Sequence, residues 1–436
     1  MRHTDTPGHC RHEADVFAPR LYWKNRLLGT ARDSLVDVPP NHARPLAVLI
    51  GDLTLLRPLG AAGIGAIVAT TDPHDPTLRS RYVTGSCVVP GFVAGAAEAT
   101  ARTLCCLGDR IVTERGEKVP LLFGTDAQLA FVYAFEQDLR SRYLFLLNEP
   151  ELGRALLDKQ RFSALAAASL IPTPRTVSGI DALRGALSGP VFVKPMRKTE
   201  WRSLQASLFD GTAKGRVFSS ASELRHNEAF RAHAEEVVVQ EHIAHEPNGL
   251  FSFHGFADEE SRVLASFVGR KIRTYPSTAG ESSYIELAED AAIEALGTAV
   301  VRMLGLRGPF KIDIVRERGS VRDWVLEVNA RFTLWSYLGA VCGINLPAIA
   351  CRYLTRGEVP DRPRLRHRSF RWVNFYRDFL AFRERRADGT LDFSQWAVSL
   401  SPRRKVYETF AWTDPEPFAW WFGQVLWRKS RGAKVA

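Results

Sequence analysis

Two acidic side chains on adjacent predicted strands are the residues of this sequence best suited to chemistry. Residues 310–315 and 324–329 alternate polar and apolar side chains on either side of a polar turn, and this pattern predicts an antiparallel hairpin. If the pairing is symmetric about the turn, Asp313 lies directly opposite Glu327. The two-residue period of a strand then places Asn329 on the same face. The sequence therefore predicts two facing carboxylates with an amide beside them.

The other face of this predicted hairpin is apolar and includes Ile314, Leu326 and Val328. The same symmetric pairing sets Ile314 against Leu326 and Val315 against Val325. An apolar sheet face packs against a hydrophobic core. We therefore expect this face to be buried.

The two carboxylates need a neutralising partner, because like charges directly opposite one another on paired strands repel. A divalent cation would remove this repulsion. Mg²⁺ prefers hard oxygen ligands and completes its shell with water and phosphate oxygens. The other explanation is a solvated hairpin whose acids pair with Lys311, Arg316 or Arg331. The hairpin taken alone leaves both explanations open.

Two lysines upstream of the hairpin have the side chain that phosphate binding requires. Lys159 lies in a segment with helical periodicity, residues 152–169, and Lys194 ends a predicted strand, residues 191–195. A lysine ammonium is a compact charge that can hold phosphate oxygens. A single lysine of this kind is more often a surface residue, so only the order and spacing of the two indicate a phosphate site.

A basic segment, residues 269–276, precedes the hairpin. It places Lys271 and Arg273 on either side of Ile272, and alternate residues of a strand share a face. We predict that both cations face the site and hold the transferred phosphate as preorganised charges. The alternative is a solvated basic strand.

From about residue 158 to residue 354 the sequence resembles the ATP-grasp superfamily, whose members include D-alanine ligases, biotin carboxylases and D-aspartate ligases. The resemblance rests on the Lys159 segment, the strand ending at Lys194, the strand and hinge at residues 238–243, and the acidic hairpin. It implies ATP and Mg²⁺ as cofactors. The implied contacts are ATP phosphates at Lys159 and Lys194, adenine at Gln240 and at the main chain of Glu241 and Ile243, Mg²⁺ at Asp313, Glu327 and Asn329, and a site arginine at Arg331.

The resemblance also implies an activity, that of an ATP-dependent carboxylate-amine ligase acting through an acyl phosphate on small-molecule substrates. Many relatives carry a glycine-rich lid after the second lysine, but here no glycine occurs between Lys194 and Gly211. This departure favours the alternative function, a catalytically silent nucleotide-binding module with a membrane- or partner-binding tail. The sequence does not identify the carboxylate, the amine or the oligomeric state.

The elements around these residues predict a chain of mixed α/β and α+β architecture. With 436 residues, 45% of them hydrophobic, the chain is long enough for two or three domains. Alternating strands and helices predict an open parallel-sheet domain, the pre-ATP-grasp domain, over residues 44–150. An extension, residues 1–43, precedes it. The ATP-grasp domain, residues 151–357, and a helical appendage rich in arginine and aromatic residues, 358–436, follow it.

The amino-acid composition indicates which classes of partner and which cellular compartment suit this protein. The net charge of +10 fits nucleotides or an anionic membrane surface, whereas no zinc-finger, RNA-recognition or helix-turn-helix signature indicates nucleic acid. Six cysteines without CxxC spacing indicate a reducing compartment. The N-terminus has no apolar signal core and no apolar stretch reaches membrane-spanning length. We therefore expect a cytoplasmic protein, with peripheral membrane contact left open.

The end of the appendage combines aromatic and basic residues. The aromatic residues are Trp412, Phe418, Trp420, Trp421, Phe422 and Trp427, and the basic residues that follow are Arg428, Lys429, Arg431 and Lys434. Such a combination is typical of an interfacial membrane segment. The alternative is that the aromatics pack back on the ATP-grasp domain.

Overall fold

The computed structural model describes residues 21–23, 26–27, 44–197, 204–209, 214–278, 280–361, 363–367, 369–401 and 404–430. Most of the predicted extension, residues 1–43, therefore lies outside the described residues. Its two described strands, β1 (Leu21–Trp23) and β2 (Arg26–Leu27), pair with each other. The lid segment after Lys194 is described only as far as Arg197, and Arg431 and Lys434 of the tail lie outside the described residues.

The first sheet contains the predicted open parallel sheet over residues 46–144, and β1 joins one edge of it in antiparallel orientation. Its further strands are β3 (Leu46–Ile50), β4 (Gly65–Thr70), β5 (Val83–Val88), β6 (Val119–Phe123) and β7 (Tyr143–Leu144), in the order β2-β1-β5-β4-β3-β6-β7. Its helices are α1 (Leu53–Ala61), α2 (Ala97–Arg115), α3 (Asp126–Ala134) and α4 (Glu136–Arg140), with a 3₁₀ helix at Pro76–Arg79. Strands β3 and β6 are buried along their whole length, as continuous apolar runs in parallel sheets are.

A small antiparallel sheet follows. Its strands are β8 (Thr176–Ser178), β9 (Val191–Pro195), β10 (Arg216–Phe218) and β11 (Val237–Glu241), in the order β10-β9-β11-β8. Its helices are α5 (Pro150–Leu157), α6 (Lys159–Ala168), α7 (Gly179–Leu183), α8 (Ala221–His226) and α9 (Glu228–Ala232). The small sheet has its own hydrophobic cluster, which includes Val193, Phe230 and Val239.

The predicted helix over residues 152–169 is divided into two. Asp158 has extended backbone angles, φ −118° and ψ 122°, and its side chain accepts hydrogen bonds from the amides of Gln160 and Arg161. It is therefore the N-cap of α6 rather than an interior residue of a long helix. This break makes Lys159 the first residue of α6.

A large antiparallel sheet contains the acidic hairpin. Its strands in this part of the chain are β12 (Leu250–Ala257), β13 (Val263–Tyr275), β14 (Glu281–Ala288), β15 (Gly308–Arg316) and β16 (Asp323–Asn329), in the order β16-β15-β12-β13-β14. The helices are α10 (Ala291–Leu304), α11 (Ser336–Val341) and α12 (Leu346–Arg356). One hydrophobic cluster joins Val48 and Leu121 of the parallel sheet to Phe253 and Ile312 of the large sheet, so the two sheets share a core.

The C-terminal appendage is helical, as predicted, but it is not separate from the large sheet. Strand β17 (Arg371–Val373) pairs with β14, and β18 (Lys405–Tyr407) pairs in parallel with β17. Its helices are α13 (Phe375–Ala387), α14 (Phe393–Ser399) and α15 (Glu416–Ser430). Two buried ion pairs anchor it, Asp378 to Arg273 in the large sheet and Asp414 to Arg57 in α1. None of the helices in the described residues is long and apolar enough to cross a membrane.

Candidate active site

The register of β15 and β16 brings the predicted metal ligands together. Asp313 is the cross-strand partner of Glu327, and Lys311 is the partner of Asn329. The predicted pairing of the two acids is therefore confirmed. Partners across paired strands lie on one face, so both acids, Asn329 and Lys311 share that face.

The pairing nearer the turn differs from the prediction. Ile314 pairs with Val325 and Val315 with Trp324, because a register shift between Asp313 and Ile314 leaves Leu326 without a partner. A residue inserted in this way is a β-bulge and can leave the apolar face. Leu326 accordingly lines a cleft between the large and small sheets instead of the core.

Two lysines and a serine surround the Asp313 carboxylate. Lys311 Nζ lies 2.7 Å from Oδ2, Lys271 Nζ lies 3.1 Å from Oδ1, and Ser252 Oγ donates a hydrogen bond to Oδ1. Burial alone would raise the pKa of Asp313, but the two lysines hold it well below its usual range. Burial lowers the pKa of Lys311, with Asp313 opposing and Lys271 adding to this effect. Asp313 is therefore a charged carboxylate at neutral pH.

The donor set suits a magnesium ion supplied with phosphate oxygens. Asp313, Glu327 and Asn329 present two carboxylates and one amide on one face, which would fill only part of an octahedral shell. No group of three or more His, Cys, Asp or Glu side chains able to hold a metal occurs within the described ranges. The residues therefore fit a metal that arrives with its nucleotide better than a permanently held one. Lys271 and Lys311 provide partial neutralisation without it.

The cleft between the two sheets collects the predicted phosphate-binding lysines. Lys159 and Lys194 both line it, together with Gln240, Leu326 and Glu327. The Lys159 amide donates to the Met196 carbonyl oxygen at 3.0 Å, which ties the start of α6 to the end of β9. The segments that supply these side chains are far apart in sequence and meet only in the folded chain.

A chain of hydrogen bonds fixes the polar floor of this cleft. Lys194 is buried, and its Nζ donates to Gln240 Oε1 at 3.0 Å. Gln240 Nε2 in turn donates to Thr176 Oγ1 at 2.8 Å. The amide of Glu241 donates to the Arg175 carbonyl oxygen at 2.9 Å, so only its carbonyl could reach an adenine. Glu241 and Ile243 follow Gln240 along the chain but do not line the cleft.

Arg331 connects the hairpin to the parallel-sheet domain. Its Nε and Nη2 each donate to the Asp126 carboxylate at 2.8 Å, and its Nη1 donates to the Gly124 carbonyl oxygen at 3.0 Å. Burial alone would lower the pKa of Arg331, but Asp126 raises it, with a further contribution from Glu327. The loop after β6 thus positions an arginine two residues beyond Asn329.

The prediction that Arg273 faces the site is wrong. A register shift between β13 and β14 leaves Ile272 without a partner, so the two-residue alternation breaks between Lys271 and Arg273. Lys271 reaches Asp313, whereas Arg273 is buried and forms a two-point ion pair with Asp378 at 2.8 and 2.9 Å. Arg273 is therefore a structural residue that anchors α13.

Three residues contribute to the site beyond those predicted from the sequence. Lys311 is predicted there only as a counter-ion of a solvated hairpin, although its two-residue spacing from Asp313 indicates the same face. Ser252 and Asp126 come from β12 and α3, and only tertiary pairing brings them to Asp313 and Arg331. Nothing in the local sequence around either residue marks it.

A buried histidine lies on the same sheet face. The His254 ring stacks between Phe267 and Trp335, with ring centroids 4.8 and 4.7 Å away, and Nδ1 lies 3.1 Å from Thr333 Oγ1. Burial lowers the pKa of His254 well below its usual range, and Lys311 adds to this effect. The ring is therefore neutral at physiological pH.

This architecture of a parallel sheet, a small sheet and a large sheet with an acidic hairpin defines the ATP-grasp fold. No family model and no curated protein matches the sequence, but solved structures match the fold. An L-amino acid ligase from Bacillus licheniformis aligns at 16% identity and TM-score 0.52, covering 73% of this chain and 77% of that chain.

Two further solved structures align over a similar share of the chain. A biotin carboxylase from Campylobacter jejuni, in a complex with β,γ-ATP, has 13% identity and TM-score 0.55, covering 74% of each chain. An N5-carboxyaminoimidazole synthetase from Staphylococcus aureus, complexed with ADP, has 12% identity and TM-score 0.54, covering 74% of this chain and 80% of that one. At these identities the likeness establishes the fold and leaves the reaction open.

Proposed function

We propose that this protein is an ATP- and Mg²⁺-dependent ligase that joins a carboxylate to an amine through an acyl phosphate. The observation that carries the proposal is the convergence of Lys159, Lys194 and Glu327 on one cleft, with Asp313 paired to Glu327. Cations and carboxylates combined in this way serve phosphoryl transfer, which depends on positioning and charge stabilisation. The solved structures of similar fold include an L-amino acid ligase and two proteins with bound nucleotide.

The residues divide the reaction between them. Lys159 and Lys194 hold the ATP phosphates, and Gln240 contacts adenine from within the cleft. The Glu241 carbonyl oxygen and the Ile243 main chain, which follow Gln240 outside the cleft lining, would complete the adenine contact. Asp313, Glu327 and Asn329 would hold Mg²⁺, which neutralises charge on the phosphate oxygens. A substrate carboxylate oxygen attacks the γ-phosphorus, and ADP leaves. The amine nitrogen then attacks the acyl carbon, releases phosphate and loses a proton.

Lys271 and Lys311 are the cations best placed for the acyl phosphate. Both ammonium groups lie within 3.1 Å of Asp313, and cations already held in position stabilise developing charge without reorganisation. Closure of the cleft would bring the acyl phosphate and the amine together and exclude water. Arg331, held by Asp126, would contact the reacting groups from the side of the parallel sheet.

A second candidate function is a silent nucleotide-binding module. The observation in its favour is that Lys271 and Lys311 already neutralise Asp313, so the hairpin does not need a metal in order to fold. Such a module would bind ATP and release no ADP. In either case we propose a cytoplasmic location, because ATP is available there and the cysteines of the described residues are free.

The test is a screen for ADP release with Mg²⁺, ATP and pairs of amino acids as candidate carboxylate and amine. We expect at least one pair to release ADP and phosphate in equal amounts. Glu327→Gln should reduce this rate at least about 100-fold, as loss of an electrostatic contact to the transition state does. The matched control is Glu317→Gln, on the same hairpin but bonded to Trp324 Nε1, which should retain the rate.

The outcomes separate the two candidates. ATP binding with no release for any pair favours the silent module. Turnover that survives Glu327→Gln would remove the hairpin from the active site.

A further inference from the structure

The exposed aromatic side chains of the described chain are confined to its C-terminal part. They are Phe375, Tyr376, Phe379, Phe393, Trp412, Phe422 and Trp427. Apolar residues scattered singly on a surface are ordinary, whereas a concentration of them marks an interaction site. Three of these seven, Trp412, Phe422 and Trp427, lie in helix α15 or shortly before it.

One side of α15 is fastened to the parallel-sheet domain. Trp420 Nε1 and Gln424 Nε2 lie 3.2 and 3.4 Å from the His74 carbonyl oxygen, and the Arg79 guanidinium lies 4.0 Å from the centre of the Trp420 ring. The expectation that the tail aromatics pack on the ATP-grasp domain is therefore wrong for Trp420. Part of the tail does pack back, but onto a different domain.

The face of α15 next to this fastened side carries an apolar stripe. Its exposed residues are Ala419, Phe422, Gly423, Leu426 and Trp427, whose spacings of three and four residues place them on one helix face. Phe422, Leu426 and Trp427 are 47%, 52% and 56% exposed. Between residues 419 and 427 this face carries no charged side chain, and the exposed Glu416 lies one turn before Ala419 at the start of the helix.

The C-terminal part of the sequence that contains this stripe is strongly basic. Residues 358–436 contain 16 Lys and Arg against nine Asp and Glu, so most of the net charge of +10 lies in this part of the chain. Arg428 and Lys429 follow the stripe directly, and Arg431 and Lys434 follow these in the sequence. An apolar stripe with one phenyl and one indole ring, followed by basic residues in the sequence, matches the headgroup region of an anionic bilayer, where aromatic rings insert and cations meet lipid phosphates.

We propose that α15 is a peripheral anchor whose apolar stripe inserts into the surface of an anionic lipid bilayer. A second copy of the chain is a poorer occupant, because a stable interface covers about 800 Å² on each partner, which three partly exposed side chains do not supply. The anchor holds the parallel-sheet domain at the membrane through Trp420 and Arg79.

The experiment measures binding of the full chain to vesicles of phosphatidylcholine with and without about 30% phosphatidylserine. The stripe variant replaces Phe422, Leu426 and Trp427 by serine. The control variant replaces Phe375 and Phe393, exposed aromatics of α13 and α14, by serine. All five side chains are at least 47% exposed, and the melting curve of each variant checks that its fold is kept.

We expect wild type and the control variant to bind the phosphatidylserine vesicles, with Trp fluorescence shifted to shorter wavelength. The stripe variant should lose at least tenfold in partition, since each buried apolar side chain contributes. Arg428→Gln with Lys429→Gln should weaken binding about 30-fold, because two contacts to anionic lipid are removed. Binding to phosphatidylcholine alone should be weak.

Three results would overturn the proposal. The first is no binding of wild type to phosphatidylserine vesicles at low salt. The second is unchanged binding by the stripe variant. The third is a wild-type dimer in sedimentation that the stripe variant converts to monomer without any change in vesicle binding, which would assign the stripe to a second copy.

Discussion

The buried ion pair between Arg273 and Asp378 should decide whether the C-terminal helices stay on the large sheet. Asp378 is fully buried and accepts hydrogen bonds from Arg273 Nε and Nη2, from Ser283 Oγ and from Trp396 Nε1, all between 2.8 and 3.0 Å. Asp378→Ala removes every one of these acceptors at once. It leaves the Arg273 guanidinium charged, buried and without its carboxylate.

The magnitude follows from the burial of both partners. The side chains of Arg273 and Asp378 are 4% and 0% exposed, and removing one partner of such a pair costs about 3–5 kcal/mol. Unpaired donors on Ser283 and Trp396 would add to this cost, because a buried donor without an acceptor is destabilising. We therefore expect the opening free energy of α13 to fall by at least about 3 kcal/mol.

Hydrogen exchange of the α13 amides is the appropriate assay, since it measures local opening. A loss of about 3 kcal/mol corresponds to about 150-fold faster exchange. The control is Arg270→Leu in the same strand: the Arg270 side chain is 38% exposed, and its partner Glu286 keeps Arg371 at 2.8 Å. Because Arg270 is partly exposed and Glu286 keeps a second partner, this pair should contribute no more than about 1 kcal/mol.

A second variant separates a structural role from a catalytic one. Arg273→Met combined with Asp378→Asn removes both charges, so it should cost less than Asp378→Ala alone. If Arg273 instead held phosphate in the cleft, Arg273→Met would slow ADP release while α13 kept its full protection. That result would refute the assignment of Arg273 to the anchor.

Three further predictions concern the cleft and its surroundings. MgATP at 100 times its Kd should stabilise the wild type by about 2.7 kcal/mol and so raise its melting temperature. Lys194→Met should abolish this rise. A variant that kept the rise would show that the nucleotide binds elsewhere. Glu281 forms ion pairs with Lys214, beside β10, and with Arg377 in α13. Glu281→Gln should therefore speed hydrogen exchange in β10 while changing global stability by less than about 1 kcal/mol. Unchanged exchange in β10 would contradict this link. His254 stays neutral in the folded chain but takes up a proton near pH 6.5 when unfolded, so unfolding free energy should fall as pH drops below about 6.5, by up to about 1.4 kcal/mol per pH unit. His254→Phe should remove that contribution, and an unchanged slope in urea titrations would show that another group causes it.

The elements that repeat a clear local pattern could be predicted from the sequence. The apolar runs at β3 and β6 indicated a parallel sheet, and the period of two across the polar turn placed Asp313 opposite Glu327. These features depend on residues that are neighbours in the chain or on a symmetric hairpin. Side-chain alternation and turn geometry are short-range properties, so the sequence determined them.

The tertiary structure decided which side chains reach the site. A single unpaired residue in β13 turned Arg273 away from Lys271, and another in β16 turned Leu326 into the cleft. A bulge is set by how neighbouring strands twist and pack, and no local pattern marks it. No local pattern marks the ion pairs of Arg331 with Asp126 and of Arg273 with Asp378 either, because the two members of each pair are 205 and 105 residues apart in the sequence. Charges that are distant in sequence must pair when both become buried, because an unpaired buried charge is costly. They become buried only when the sheets pack together.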